Sequence, residues 1–84
     1  MKVYQVSTLL VVESMEKREF KKVYVSNLKK AVDVINKEKG WLNLDPVKYS
    51  TVHRKMQRGY IIKDSSFYEK GMEHTYWIEK HDVL

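Results

Sequence analysis

The sequence predicts a single small α+β domain in which antiparallel hairpins pack on two helices, in the order β-β-α-α-β-β. Three observations carry this expectation. Segments 3–12 and 20–25 are rich in β-branched, aromatic and aliphatic residues; segments 27–39 and 46–58 repeat apolar residues at helical spacing; and segments 60–63 and 75–79 return to strand composition. With 84 residues, 43% of them hydrophobic, the chain has material for one core, and residues 1–84 are read as one domain.

The first strand, Val3 to Val12, is apolar on both faces, with Tyr4, Val6, Leu10 and Val12 on one side and Val3, Leu9 and Val11 on the other. Such a strand is expected to be central or covered on both sides. The polar stretch Glu13–Glu19 connects it to a second strand, Phe20 to Val25, and the short link predicts an antiparallel hairpin. Ser26 is the expected cap of a first helix that places Leu28, Ala31, Val32 and Ile35 on one stripe. Gly40 is the expected left-handed terminator, and Trp41, Leu42 and Leu44 the expected anchors of the connection.

For the second helix, Asp45 is the expected cap, Pro46 the first helical residue and Gly59 the stop. Successive 100° steps put Tyr49, Val52 and Met56 on an apolar stripe, with His53 at its edge. The opposite arc collects Ser50, Thr51, Arg54, Lys55, Gln57 and Arg58. Guanidinium, ammonium, amide and hydroxyl groups of this kind bind phosphates and read base edges. The competing reading is a solubilising surface, but such surfaces mix signs, and no acidic residue occurs from Pro46 through Tyr60.

After Gly59, Tyr60–Lys63 and Thr75–Glu79 predict a second hairpin. Asp64-Ser65-Ser66 and the segment 69–73 are expected as turn and loop, with Phe67 and Tyr68 as an apolar interruption between them. Tyr24, Trp41, Tyr49, Tyr60, Tyr76 and Trp77 are expected to face the core or its rim. Phe67 and Tyr68, in a polar loop, are candidates for a protein contact or for stacking on unpaired bases.

The net charge of +5 is unevenly spread. Residues 1–59 hold 13 Lys/Arg against 6 Asp/Glu, whereas residues 60–84 hold 3 against 5. The positive field therefore belongs to the helical part, where it favours a polyanionic partner. Lys21, Lys22, Lys29 and Lys30 add candidate phosphate contacts. There are no cysteines, which excludes disulfides and thiolate-ligated zinc and fits an intracellular protein. No apolar run reaches the length of a membrane span, and the first residues lack the basic segment, long apolar segment and small-residue cleavage site of a secretory signal, so a cytoplasmic location is expected. His53, His74 and His81 form no metal-ligand pattern, and Glu73-His74 and His81-Asp82 are strand neighbours that point to opposite faces. The three glycines are too far apart for a phosphate loop. No metal, cofactor or enzymatic activity is expected.

Three segments resemble the modular helix-turn-helix-like DNA-binding repeat associated with homing endonucleases. Tyr24-Val25-Ser26-Asn27-Leu28-Lys29-Lys30-Ala31 is similar to its strand, serine cap and helix start. Segment 49–59 is similar to its second helix, ending in a basic-glycine pair, and His74-Thr75-Tyr76-Trp77-Ile78 resembles its closing strand. The connection from Lys37 to Asp45 and the segment from Asp64 to Glu73 are longer than that repeat carries. The resemblance implies nucleic-acid binding by Ser50, Thr51, Arg54, Lys55 and Arg58, and no catalysis. The short lysine-rich chain also resembles small phage proteins. The expected function is thus a non-enzymatic, regulatory or accessory nucleic-acid-binding protein, with DNA favoured over RNA. The alternative is a protein–protein interaction module, such as a phage-type inhibitor or modulator of a host enzyme. A homodimer is compatible with either.

Overall fold

In the computed structural model, which describes residues 2–59, 61–68 and 71–82, the protein is an α+β domain with a four-stranded antiparallel sheet and two helices. The sheet is built on β1 (Lys2–Val12), which turns through a 3-10 segment at Glu13–Met15 into β2 (Lys17–Val25). Two helices follow, α1 (Leu28–Trp41) and α2 (Tyr49–Gln57), and then β3 (Ile61–Tyr68) and β4 (Met72–Asp82). The strand order is β2-β1-β4-β3, so the first and last strands lie side by side in the centre.

Register fixes which residues share a face. Val6 pairs with Val23 and Ile78, Thr8 with Tyr76, and Leu10 with His74. These side chains point toward the helices, where Val6, Ile78 and Tyr76 meet Leu28, Ala31, Val32 and Ile35 of α1 and Val52 and Met56 of α2 in one core. Each of these large aliphatic side chains gains about 1.5–3 kcal/mol from leaving water. The opposite face carries Gln5, Ser7 and Leu9 of β1, Phe20, Lys22 and Tyr24 of β2, Lys63 of β3 and Trp77 of β4. Both helices pack on the other side, so β1 is central in the sheet but covered on one face only. Its apolar second face is half-buried by its strand neighbours rather than by a layer above it.

Local chemistry moves several boundaries. Asn27, not Ser26, caps α1: its Oδ1 accepts from the Lys30 backbone N–H at 2.8 Å. The helix runs through Gly40, and the left-handed residue is Asn43 at φ 57°. The Asn43 N–H donates to the Gly40 carbonyl and the Leu44 N–H to the Lys39 carbonyl, which closes a Schellman motif. Trp41, on the last helical turn, is 81% exposed and anchors nothing.

Helix α2 starts later than expected because Asn36 captures the preceding segment. Its Nδ2 donates to the Val47 carbonyl at 3.0 Å and its Oδ1 accepts from the Val47 N–H at 2.8 Å. Pro46 also disfavours helical geometry at Asp45. Asp45 and Pro46 therefore lie outside the helix, and Lys48 occupies the cap position without a side-chain bond. At the other end, the Arg58 N–H folds back on the Lys55 and Met56 carbonyls and the Gly59 N–H on the Met56 carbonyl at 3.4 Å, so both residues take part in the closure.

The stretch Asp64-Ser65-Ser66, expected as a turn, is strand. Ser65 pairs with Thr75, their hydroxyls 3.0 Å apart, and Asp64 pairs with Tyr76, whose hydroxyl donates to it at 3.5 Å. These cross-strand bonds and the edge position replace the apolar pattern that usually marks a strand. Phe67 and Tyr68 consequently end β3 instead of sitting in a loop, and the chain reverses after Tyr68 with Gly71 at φ 68°. The side chains of Phe67 and Tyr68, with Tyr60 altogether, lie outside the described residues.

Candidate nucleic-acid interface

The candidate interface is centred on α2. Its aliphatic ridge, Val52 and Met56, is driven into the core. This orients the rest of the helix: Ser50, Arg54, Lys55, Gln57 and Arg58 are exposed and Thr51 is half-buried. Among the described residues, no carboxylate comes within ion-pair distance of Arg54, Lys55 or Arg58. The flank thus presents three fixed positive charges with hydroxyl and amide donors between them. Tyr49 is 46% exposed, and its ring stacks on the exposed His53 with centroids 5.7 Å apart.

Of the other expected contacts, Lys29 joins this surface. It lines a groove of about 470 Å³ between the helices with Val32, Asp33, Asn36 and Tyr49. Lys30 is exposed nearby, with Nζ 3.3 Å from the Ser26 hydroxyl. Lys21 and Lys22 are not brought together with α2. They lie on β2, at the opposite edge of the sheet from β3, and as strand neighbours they point to opposite faces. Lys21 is also held by Glu19 at 3.0 Å. Their mutual hydrogen bond, then their opposite charges, raise the Lys21 pKa and lower that of Glu19.

A second concave region was not expected. A cleft of about 560 Å³ opens between the C-terminal half of α1 and β2, over an apolar floor of Leu10, Val34 and Leu42. Lys17, Lys21, Lys37 and Glu19 rim it, and Trp41 stands at its edge. Its wall includes Glu38, whose carboxylate is fixed from behind. Thr8 Oγ1 donates to Glu38 Oε2 at 2.9 Å, and His74 Nε2 lies 3.0 Å from Oε1. His74 is fully buried, and its Nδ1 has no hydrogen-bond partner. Burying an imidazole with one unpaired nitrogen is costly unless the bond on the other nitrogen is strong, as one to a carboxylate is.

Beside this array, Lys39 is 2% exposed, with its ammonium 6.0 Å from the Tyr76 ring centre. Burial, followed by the Asp64 charge and the hydrogen bond to it, pushes the Tyr76 phenol up to about 12.

The sequence concealed this network because its members lie far apart in the chain and each has an ordinary reading alone. The only hint was that His74 and Thr8 alternate in phase with apolar strand residues. Among the described residues, no three His, Asp or Glu side chains lie close enough to hold a metal ion, and no helix is long and apolar enough to cross a membrane. Compared with protein-family models, with curated proteins and with solved structures, the chain matches none.

Proposed function

We propose that the protein binds nucleic acid, duplex DNA in preference to RNA, through the outer flank of α2, as a non-enzymatic regulatory or accessory protein. The observation that carries this reading is the inward ridge of Val52 and Met56, which leaves Arg54, Lys55 and Arg58 exposed and, among the described residues, without carboxylate partners. In this reading, the three cations engage phosphates while Ser50, Thr51 and Gln57 face the groove, and Lys29 extends the contact along α1. The two helices then act as a helix-turn-helix-like pair. Their connection, Leu42 to Lys48, is longer than the three or four residues of that motif, so α2 would dock with its flank rather than by its N-terminus alone.

Binding of a labelled duplex, followed by anisotropy across a salt series, tests this. Affinity should fall by about 0.9 log units per tenfold rise in salt for each neutralised phosphate. The double variant Arg54→Ala/Arg58→Ala should bind more weakly and reduce that slope by about two, with an unchanged melting curve. Unchanged affinity in the folded variant would remove the proposal.

A second reading, a protein-interaction module, is favoured by the uncovered sheet face. There Phe20 and Tyr24 are 57% and 60% exposed, and Phe20 lies 6.4 Å from the Trp77 ring. A partner retained after nuclease treatment and lost with Phe20→Lys would favour this reading.

A further inference from the structure

We propose that the cleft between α1 and β2 binds a purine nucleoside monophosphate, either free or as an unpaired nucleotide of a bound strand. It is separate from the α2 flank: it lies on the β2 side of α1, whereas α2 packs beside α1 and over β3.

Three features specify the ligand. The first is volume and lining: about 560 Å³ over Leu10, Val34 and Leu42 suits one small organic molecule. The second is the surplus of positive charge at the rim. Glu19 is shared by Lys17 at 3.6 Å and Lys21 at 3.0 Å, so two ammoniums compete for one carboxylate. Lys37 has no carboxylate within ion-pair distance among the described residues. With Glu38 in the wall counted, three ammoniums face two carboxylates, and a phosphate supplies the missing negative charge. The third is the pairing of Trp41 with Glu38. An indole left 81% exposed beside a cleft offers a stacking surface for a planar ring.

Glu38 is held by Thr8 and the buried His74, so its carboxylate cannot swing away to follow the lysines. Each of its oxygens retains a lone pair, and one of them can accept from the exocyclic amine of a purine such as adenine. Anchoring one carboxylate with a fully buried histidine is an expensive arrangement for a surface that only meets water. It is the pre-organisation expected of a group that must present fixed acceptors.

Calorimetric titration with AMP tests the assignment, with adenosine and ribose 5-phosphate as the two halves of the ligand. AMP should bind, and each half should bind at least about tenfold more weakly, since one lacks the phosphate and the other the stacking ring. Trp41→Ala and Lys37→Glu alter exposed side chains, so the fold should survive. Each should weaken AMP binding by about tenfold or more, and the Trp41 indole N–H resonance should shift on binding in the wild type.

Arg54→Ala/Arg58→Ala should leave AMP binding unchanged, which separates failure here from failure of the duplex interface. A single-stranded oligonucleotide distinguishes the sources. Loss of its binding in Trp41→Ala assigns the cleft to a nucleotide within a strand, and AMP binding alone assigns it to the free nucleotide. The proposal is overturned if neither AMP nor the oligonucleotide binds the wild type. It is equally overturned if both bind with affinities that Trp41→Ala and Lys37→Glu leave untouched.

Discussion

Asn27 shows how much a single side chain decides. Its carboxamide oxygen occupies a free N–H of the first turn of α1, while the Ser26 hydroxyl faces the Lys30 ammonium. Asn27→Ala should therefore cost about 1 kcal/mol, and Ser26→Ala should stay within about 0.5 kcal/mol, as read from urea unfolding. Either residue is an acceptable cap, so composition alone does not choose between them. The choice falls to Asn27 because β2 continues through Val25 and the chain must bend before it coils. The same limit explains Gly40 and Asn43: both residue types tolerate the left-handed region, and the hydrogen bonds of Leu44 and Asn43 place the bend three residues later than glycine suggests. Trp41 likewise has the composition of a core residue, yet the extra helical turn carries it outward.

At the scale of elements, the position of α2 depends on a clamp that spans the interhelical connection. Asn36 gives Val47 both a donor and an acceptor, much as a neighbouring strand would. Asn36→Ala should destabilise the protein by about 1–3 kcal/mol, because both backbone groups of Val47 lose partners. Asn36→Asp, which keeps only the acceptor, should fall between. Hydrogen exchange at the Val47 amide checks both variants directly. The apolar stripes of both helices were legible because periodicity reports burial directly: Ala31, Val32, Ile35, Val52 and Met56 are all buried. The exposed flank of α2 follows from the same rule. The clamp was not legible, since nothing local distinguishes Asn36 from any polar helix residue. The polar half of β3 was hidden for a similar reason, its strand character coming from the register with Thr75 and Tyr76.

For the molecule as a whole, the α+β class was legible, while the layer arrangement was not. Alternation along β1 indicated apolar character on both faces, but only tertiary pairing shows that helices cover one. The cleft and its Glu38–His74–Thr8 wall required the sheet to bring β1 and β4 together beneath α1. Global stability should carry the mark of Tyr76, whose phenol ionises near 10 when unfolded and at about 12 in the fold. The neutral form is favoured in the fold, so this contribution is complete below pH 10 and is lost as pH rises through about 12. By pH 11 the loss should be about 1 kcal/mol. Denaturation curves at pH 8 and pH 11 should therefore show a smaller decline for Tyr76→Phe than for the wild type.

The placement of β1 has a consequence for what happens when the protein fails. Its run Ser7-Thr8-Leu9-Leu10-Val11-Val12 has the uncharged, β-prone composition of segments that stack into fibrils. Paired on both sides, it exposes no free hydrogen-bonding edge. The outer strand β2 presents Lys17, Arg18, Lys21 and Lys22 instead, charges that discourage a further chain from adding on. Detachment of β2, rather than melting of a helix, would be the event that uncovers an amyloid-competent template.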